Sequence, residues 1–196
     1  MRRTQEERSQ STRAALVAAA RELFAERGYQ AVPADEIVRA AGVTRGALYH
    51  HYGDKQGLFR AVFEQLELEV TAEVEAATKD APDLATGLLF ALKAFLDACE
   101  CADIRQISLI DAPAVLGWTT WREIEAEHGL GLVIGVLREA VEQGLIKPLP
   151  VDVLAQLVLS AVNEAALMIT HADNPAQARS DAEQVLATWL IGLLAE

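Results

Sequence analysis

The sequence predicts an all-α protein, and three observations support that fold class. The 196 residues are 52% hydrophobic but only 6% aromatic, a balance rich in Ala and Leu that favours helices. Apolar residues recur every three or four positions through most of the chain. Gly and Pro residues divide it into segments of helical length, and none of them shows the alternation of a strand. We expect a three-helix N-terminal domain, residues 1–54, followed by a larger helical domain, residues 55–196.

The N-terminal part is predicted to contain three helices and the start of a fourth. An amphipathic helix spans residues 11–27, and Gly28 ends it at a position that needs positive φ. A short helix over residues 35–41 stops at Gly42. Thr44 caps the next one, because its hydroxyl can accept from a backbone N–H in the first turn. Gly53 ends that helix, and Asp54 caps a fourth from Lys55 to about residue 76, which links the two domains.

The C-terminal part is predicted to consist of longer helices. One runs from Pro82 to about residue 99, an interruption follows at residues 111–113, and a single long helix covers residues 121–144. Residues 151–171 are apolar nearly all round and need cover on most sides. Asn174 and Pro175 begin the last helix. The apolar surfaces of these last two helices exceed what one small domain covers, which predicts a homodimer through them.

Charge is distributed unevenly along the chain. The net charge is −12, yet residues 1–60 hold ten Lys and Arg against seven Asp and Glu, whereas the remainder holds seven against 22. An acidic remainder repels nucleic acid, so any such contact is confined to the first sixty residues. A solvated helical surface could also show this small basic excess by chance.

Several function classes lack support. We find no secretory signal and no apolar run of the ~18 residues that a membrane span needs. Cys99 and Cys101 have neither zinc nor redox spacing, which suggests small hydrophobic residues in a reducing cytoplasm. No spacing indicates a metal site, a cofactor or a catalytic nucleophile. The chain is therefore expected to be a cytoplasmic protein without membrane contact, and not an enzyme.

The segment AAGVTRGALYHHYGDK, residues 40–55, has the pattern of a helix-turn-helix. Gly42 provides the sharp turn, and Ile37, Ala41, Val43 and Leu48 provide the apolar crossing. The second helix would then enter a major groove by its N-terminal end. A helical hairpin with solvated polar groups is the alternative. The predicted DNA-contacting residues are Thr44, Arg45, Gly46, Ala47, Tyr49, His50, His51 and Lys55.

From Leu16 through Phe59 the sequence resembles the DNA-binding domain of the tetracycline-repressor (TetR) family. The matches include Ala20, Leu23, Phe24, Gly28 and Tyr29, the run 37–43, the run 44–52, Lys55, Leu58 and Phe59. The resemblance implies a homodimeric repressor that binds operator DNA and a small-molecule effector. Pro33 stands where the family usually has a phosphate-contacting Ser or Thr, and Val38 stands where a smaller Ala is common.

The larger domain resembles the family only in architecture, so its ligand site is predicted from a polar and aromatic cluster. Ligand pockets are mostly apolar with a few convergent polar groups. Structural packing or a hydrogen bond across a dimer would account for the same residues. A helical binding protein or enzyme with a scaffolding hairpin is the rival function. The predicted ligand residues are Arg105, Asp111, Trp118, Trp121, His128, Asn163 and Met168, with Glu164 and His171 nearby in sequence.

Overall fold

The computed structural model describes residues 5–195 and is helical throughout, apart from one antiparallel bridge that pairs Ile146 with Leu194 in the described part. A π-helical segment, Ile104–Asp111, lies between the fifth and sixth α-helices. The α-helices are α1 (Gln5–Ala31), α2 (Ala34–Ala40), α3 (Arg45–Tyr52), α4 (Lys55–Thr78), α5 (Leu84–Ala98), α6 (Ala112–Leu116), α7 (Trp118–Glu127), α8 (Gly129–Glu142), α9 (Val151–His171) and α10 (Pro175–Ile191).

The predicted helix caps are confirmed. The Thr44 hydroxyl accepts from the backbone N–H of Ala47 at 3.3 Å, Asp54 accepts from Gly57 at 2.7 Å, and Asn174 accepts from Gln177 at 3.2 Å. Gly28 has the predicted positive φ, 74°, although α1 resumes beyond it and reaches Ala31. These contacts bond orphan N–H groups that a helix leaves in its first turn.

Two expectations about the C-terminal part are wrong. The single helix predicted for residues 121–144 is two helices, because His128 takes a non-helical conformation (φ −125°, ψ −111°) before Gly129. Glycine is a poor helix former, and the run 129–135 contains three. The interruption predicted at residues 111–113 is instead the junction between the π-helical segment and α6. Pro113 lies in the first turn of α6, where its missing N–H costs nothing.

The chain forms two compact units that differ from a division by chain order. Unit 1 comprises the residues up to Leu66 together with Ala102–Trp121, and unit 2 comprises Glu67–Cys101 with the residues from Arg122 onward. Of the three boundaries, two fall within α4 and α7, and the third lies between α5 and the π-helical segment. The domain boundary predicted at residue 54 therefore lies inside unit 1.

Unit 1 is held by an aromatic core under the first helices. The rings of Phe24, Tyr29 and Phe59 lie 5.1–5.5 Å apart in pairs. Leu16, Ile37 and Leu48 are fully buried, which fixes α2 and α3 against α1. The π-helical segment also packs on α1, so α1 contacts α2, α3 and the π-helical segment.

Unit 2 is organised around α9, which packs against α5, α8 and α10. By length and composition alone α9 could cross a membrane, a result that the interrupted apolar runs of the sequence did not suggest. A core helix of a soluble protein passes the same test, and seven residues of α9 are buried within the protein. Large apolar side chains of α9 and α10 nevertheless stay exposed: Val153, Leu157, Met168, Val185, Trp189 and Ile191. All of them except Ile191 recur at helical spacing along one side of their helix, and we call these five residues the α9–α10 apolar face.

Candidate nucleic-acid interface and effector region

The turn between α2 and α3 has the geometry that a helix-turn-helix requires. Gly42 adopts φ 65°, and two bonds of a Schellman motif close α2: Val43 N–H donates to the Val38 carbonyl at 3.0 Å and Gly42 N–H to Arg39 at 3.2 Å. A side chain at this left-handed position would be strained. The carbonyls at the end of α2 are thus bonded, and the chain turns directly into the Thr44 cap.

The outer face of α3 carries most of the predicted DNA-contacting residues. Thr44, Arg45, Gly46, Tyr49 and His50 are exposed, whereas Ala47 and His51 are half-buried. Leu48 on the opposite face is completely buried. The helix therefore presents one polar face at its N-terminal end, where recognition helices contact base edges.

Arg45 is held by two neighbours in the free protein. Its guanidinium lies 3.2 Å from an Asp35 carboxylate oxygen and donates to the Tyr49 hydroxyl at 3.2 Å. The hydrogen bond with Tyr49, followed by the charge of Asp35, raises the pKa of Arg45. Sequence reasoning missed Asp35, because a contact across ten residues and a turn leaves no periodic signal.

His51 and Tyr52 connect α3 to α1. The Tyr52 hydroxyl donates to the Arg13 carbonyl at 3.2 Å, and Arg13 Nε donates to His51 Nδ1 at 3.5 Å. Burial lowers the pKa of His51, and the nearby His50 and Arg13 lower it further. A neutral imidazole that accepts from Arg13 is engaged within the protein, in contrast to the exposed His50.

Lys55, predicted from the sequence to contact a phosphate, is also engaged within unit 1. Its ammonium donates to the carbonyls of Tyr29 at 2.9 Å and Val32 at 3.0 Å, and it lies 3.8 Å from the centroid of the Tyr29 ring. Burial lowers its pKa. An ammonium has three N–H donors, so one remains for a phosphate.

The predicted ligand residues are divided between the two units. Arg105, Asp111, Trp118 and Trp121 belong to unit 1, where Asp111 accepts from the Tyr29 N–H at 2.8 Å and the two indole rings lie 5.5 Å apart. The other three predicted residues, His128, Asn163 and Met168, belong to unit 2.

Of these three, Asn163 belongs to a polar cluster that the sequence did not reveal. Its amide donates to Glu125 at 3.4 Å, and Arg122 donates to the other carboxylate oxygen of Glu125 at 2.5 Å. Glu125 is only 4% exposed. Met168 instead lies on the exposed α9–α10 apolar face. The spacing of Arg122 and Glu125, one helical turn apart, was the available signal.

Comparison with known proteins relates the N-terminal and the C-terminal part of the chain to the same group of proteins. Residues 16–62 match the model of bacterial regulatory proteins of the tetR family, and residues 85–193 match a tetracyclin repressor-like C-terminal domain. The chain is 32% identical over 157 residues to the Tn10 TetC protein of Escherichia coli, covering 79% of this chain and 78% of TetC. It is 44% identical over 77 residues to the HTH-type transcriptional repressor BepR of Brucella suis, which covers 37% of this chain and 36% of BepR.

A solved structure resembles the protein over its whole length. A TetR-family transcriptional regulator from Pectobacterium atrosepticum is 33% identical, with a TM-score of 0.82 and 99% of each chain covered. The helical N-terminal region and the larger helical C-terminal region therefore both have counterparts in an experimentally determined protein.

Proposed function

Since the chain belongs to the TetR family of transcriptional regulators, we propose that it is a cytoplasmic repressor whose helix α3 reads an operator and whose C-terminal domain binds a small effector. The observation that supports this most directly is the exposed face of α3 above the buried Leu48. The name of BepR as a repressor supports the same direction of regulation.

On this proposal the exposed residues of α3 have two tasks. Thr44 and Tyr49 contact phosphates through their hydroxyls, because such contacts position a protein without reading sequence. Arg45 contacts a base edge, where a bidentate bond to guanine discriminates between bases. Gly46 and Ala47 allow the backbone to approach closely, and His50 adds a donor at the edge of the interface.

The proposed active form is a homodimer built on the α9–α10 apolar face. Val185 is 67% exposed and Leu157 56% exposed, and monomeric proteins rarely leave large contiguous apolar patches in water. A second copy of the chain would cover this face with an identical one, as two-fold symmetry requires. Two copies of α3 would then read two half-sites about one helical turn of DNA apart.

The proposed switch works through α4. This helix has 24 residues, which correspond to ~36 Å at 1.5 Å per residue, and it continues from unit 1 into unit 2. A ligand that prefers the state incompetent for DNA binding would tilt α4 and change the half-site spacing. A ~100-fold preference corresponds to ~2.7 kcal/mol, and operator DNA must weaken ligand binding by the same factor.

Selection of a duplex from random sequence, followed by fluorescence anisotropy, tests this function. We expect affinity for the selected duplex to fall steeply with salt, because phosphate contacts release counterions. Arg45→Ala should reduce binding, whereas Arg138→Ala, which removes an exposed charge from α8, should not. A chain that selects no duplex and shows no salt-dependent retention on DNA would instead support the rival, a helical binding protein or enzyme.

A further inference from the structure

Unit 2 contains a group of ionisable side chains that the proposed contacts with DNA and a second copy do not use. Arg122, Glu125 and Asn163 form the bonded part of this group, which also includes Gln156. With its amide oxygen turned toward Arg122, Gln156 accepts two hydrogen bonds from the guanidinium, at 2.6 and 3.2 Å. Arg122 thus donates to Glu125 and Gln156, and its charge is matched by Glu125.

Glu67 of α4 is the group left over. No hydrogen bond or ion pair joins its carboxyl to another residue in the described part of the chain. Burial is the largest cause of the raised pKa of this carboxyl, and the residue nevertheless keeps some accessible surface. This combination is typical of a side chain that faces a recess. One carboxylate oxygen lies 3.9 Å from where a Cβ on Gly129 would be, at the start of α8.

The charged surroundings of Glu67 are mainly negative. Burial and the charge of Glu125 raise the pKa of Glu67 to about 8. Burial, followed by the charge of Glu67, raises the pKa of Cys99, directly after α5, to about 12. Arg122 is already bonded to Glu125 from the same helix, and His128 directly precedes Gly129. When both carboxylates are ionised, the recess therefore carries one negative charge without a partner.

This charge selects the class of ligand. An anion would be repelled by the uncompensated carboxylate, and an uncharged molecule could hydrogen-bond Glu67 but would leave its charge uncompensated. A divalent metal ion takes several oxygen ligands, but Glu125 already bonds Arg122 and Asn163. An organic cation, in contrast, pairs with a single carboxylate and places its apolar part against the surrounding side chains.

We propose that the effector of this protein is a small organic cation whose charged group is held by Glu67 in unit 2. This inference rests on the proposed effector binding and adds its chemical class. Glu67 lies on α4, so the contact is made on the helix proposed to move. Binding of the cation requires ionised Glu67 and therefore displaces its proton.

Titration calorimetry on the full-length protein tests the proposal with three aromatic probes of similar size. Benzyltrimethylammonium carries a charge at every pH, benzyl alcohol is uncharged, and benzoate is an anion. We expect the parent to bind the cation best. Its affinity should rise about tenfold between roughly pH 6 and pH 7, because the ionised fraction of Glu67 rises tenfold, and should level off above pH 8.

Two variants complete the design. Glu67→Gln keeps the size and removes the charge, so the cation should bind at least about tenfold more weakly and without pH dependence. Glu73→Gln, on the exposed surface of the same helix, should match the parent. Equal cation affinity in Glu67→Gln and the parent, preference for benzoate or benzyl alcohol, or no cation binding in the millimolar range would each overturn the proposal. DNA binding, measured separately, tests the regulator itself, and benzoate binding would leave effector binding intact while overturning its cationic class.

Discussion

The two units of this protein differ in the partners of their charged side chains. In unit 1, two charged groups near the core bond to the backbone, since Lys55 donates to two carbonyls and Asp111 accepts from the Tyr29 N–H, while Arg21 pairs with Asp103. In unit 2, buried charges meet other side chains, as Glu125 meets Arg122, and Glu67 is left over. Charges that bond the backbone fix a shape, whereas a buried charge without a partner provides a place for a ligand. The comparison suggests that unit 1 is a rigid unit that reads DNA, the reading unit, and that unit 2 responds to a ligand.

The largest expected effect is the loss of the proposed homodimer, with both units of each chain still folded. Val185→Glu or Trp189→Glu places a charge in the α9–α10 apolar face, so both variants should be monomeric by light scattering. Operator affinity should fall by more than about 100-fold, because the two half-sites no longer bind together. Leu149→Glu, which adds the same charge at an exposed apolar residue elsewhere, is the control. Dimers in both variants would place the interface on another surface.

The second effect tests whether the reading unit recognises sequence through Arg45. Arg45→Ala should cost ~1–3 kcal/mol at a single base pair and leave other positions unchanged. Tyr49→Phe and Thr44→Ala should weaken all duplexes about equally, since phosphates carry no sequence information. Anisotropy titrations on a set of single-base variants of the selected operator measure both patterns. A uniform loss with Arg45→Ala would identify Arg45 as a phosphate contact.

The third effect tests the backbone bonds of unit 1. Lys55→Met should lower the free energy of unfolding by about 2 kcal/mol, because it removes the donor of the Val32 carbonyl and leaves the Tyr29 carbonyl only its 3.4 Å bond from the Val32 N–H. Urea unfolding measures this loss, with Lys79→Met at an exposed position as the control. If stability is unchanged while all duplexes bind more weakly, Lys55 is the phosphate contact that its sequence position suggests.

The sequence predicted unit 1 in more detail than unit 2, and the reason is the range of the interactions. The Gly42 turn and the Thr44 and Asp54 caps depend on residues within about a turn of one another, so their signals are local. The pairing of Asn163 with Glu125 spans 38 positions, and no periodicity reports such a contact. The break at His128 was missed because the apolar spacing continues across it. Asp111, predicted as a ligand residue, bonds Tyr29 across 82 positions.

The fourth effect concerns the leftover charge of unit 2. Glu67 has a pKa raised from 4.5 to about 8 in the folded protein, so the folded state keeps a proton that the unfolded state has lost. Its contribution to stability is therefore complete below about pH 4.5 and is lost as the pH rises to about 8. At pH 8 the free energy of unfolding of Glu67→Gln should exceed that of the parent by more than about 1.4 kcal/mol, the equivalent of one pKa unit.

Near pH 4 the same two proteins should be equally stable, and Glu73→Gln should follow the parent at both pH values. Thermal unfolding across this range provides the measurement. A parent that is at least as stable as Glu67→Gln at pH 8 would show that the Glu67 carboxylate has a partner in solution, and the contrast between the two units would then disappear.

The smallest effect concerns Asp35, the carboxylate paired with Arg45. Asp35 and Arg45 are both largely exposed, so Asp35→Asn should change stability by less than about 0.5 kcal/mol. The loss of a negative charge near phosphates should raise affinity for all duplexes about twofold. Because Asp35 helps to hold the guanidinium, discrimination at the Arg45 base pair should fall by about 0.5 kcal/mol. In an Arg45→Ala background the same change should leave discrimination unaltered, since the two residues then share no interaction.

Glu36→Gln, which removes a neighbouring carboxylate bonded to Arg27, separates the effect of charge from that of positioning. This variant should leave base discrimination unchanged. If Asp35→Asn also leaves base discrimination unchanged, Arg45 is positioned by Tyr49 and the DNA alone. Unit 1 is then less rigid than its backbone bonds imply.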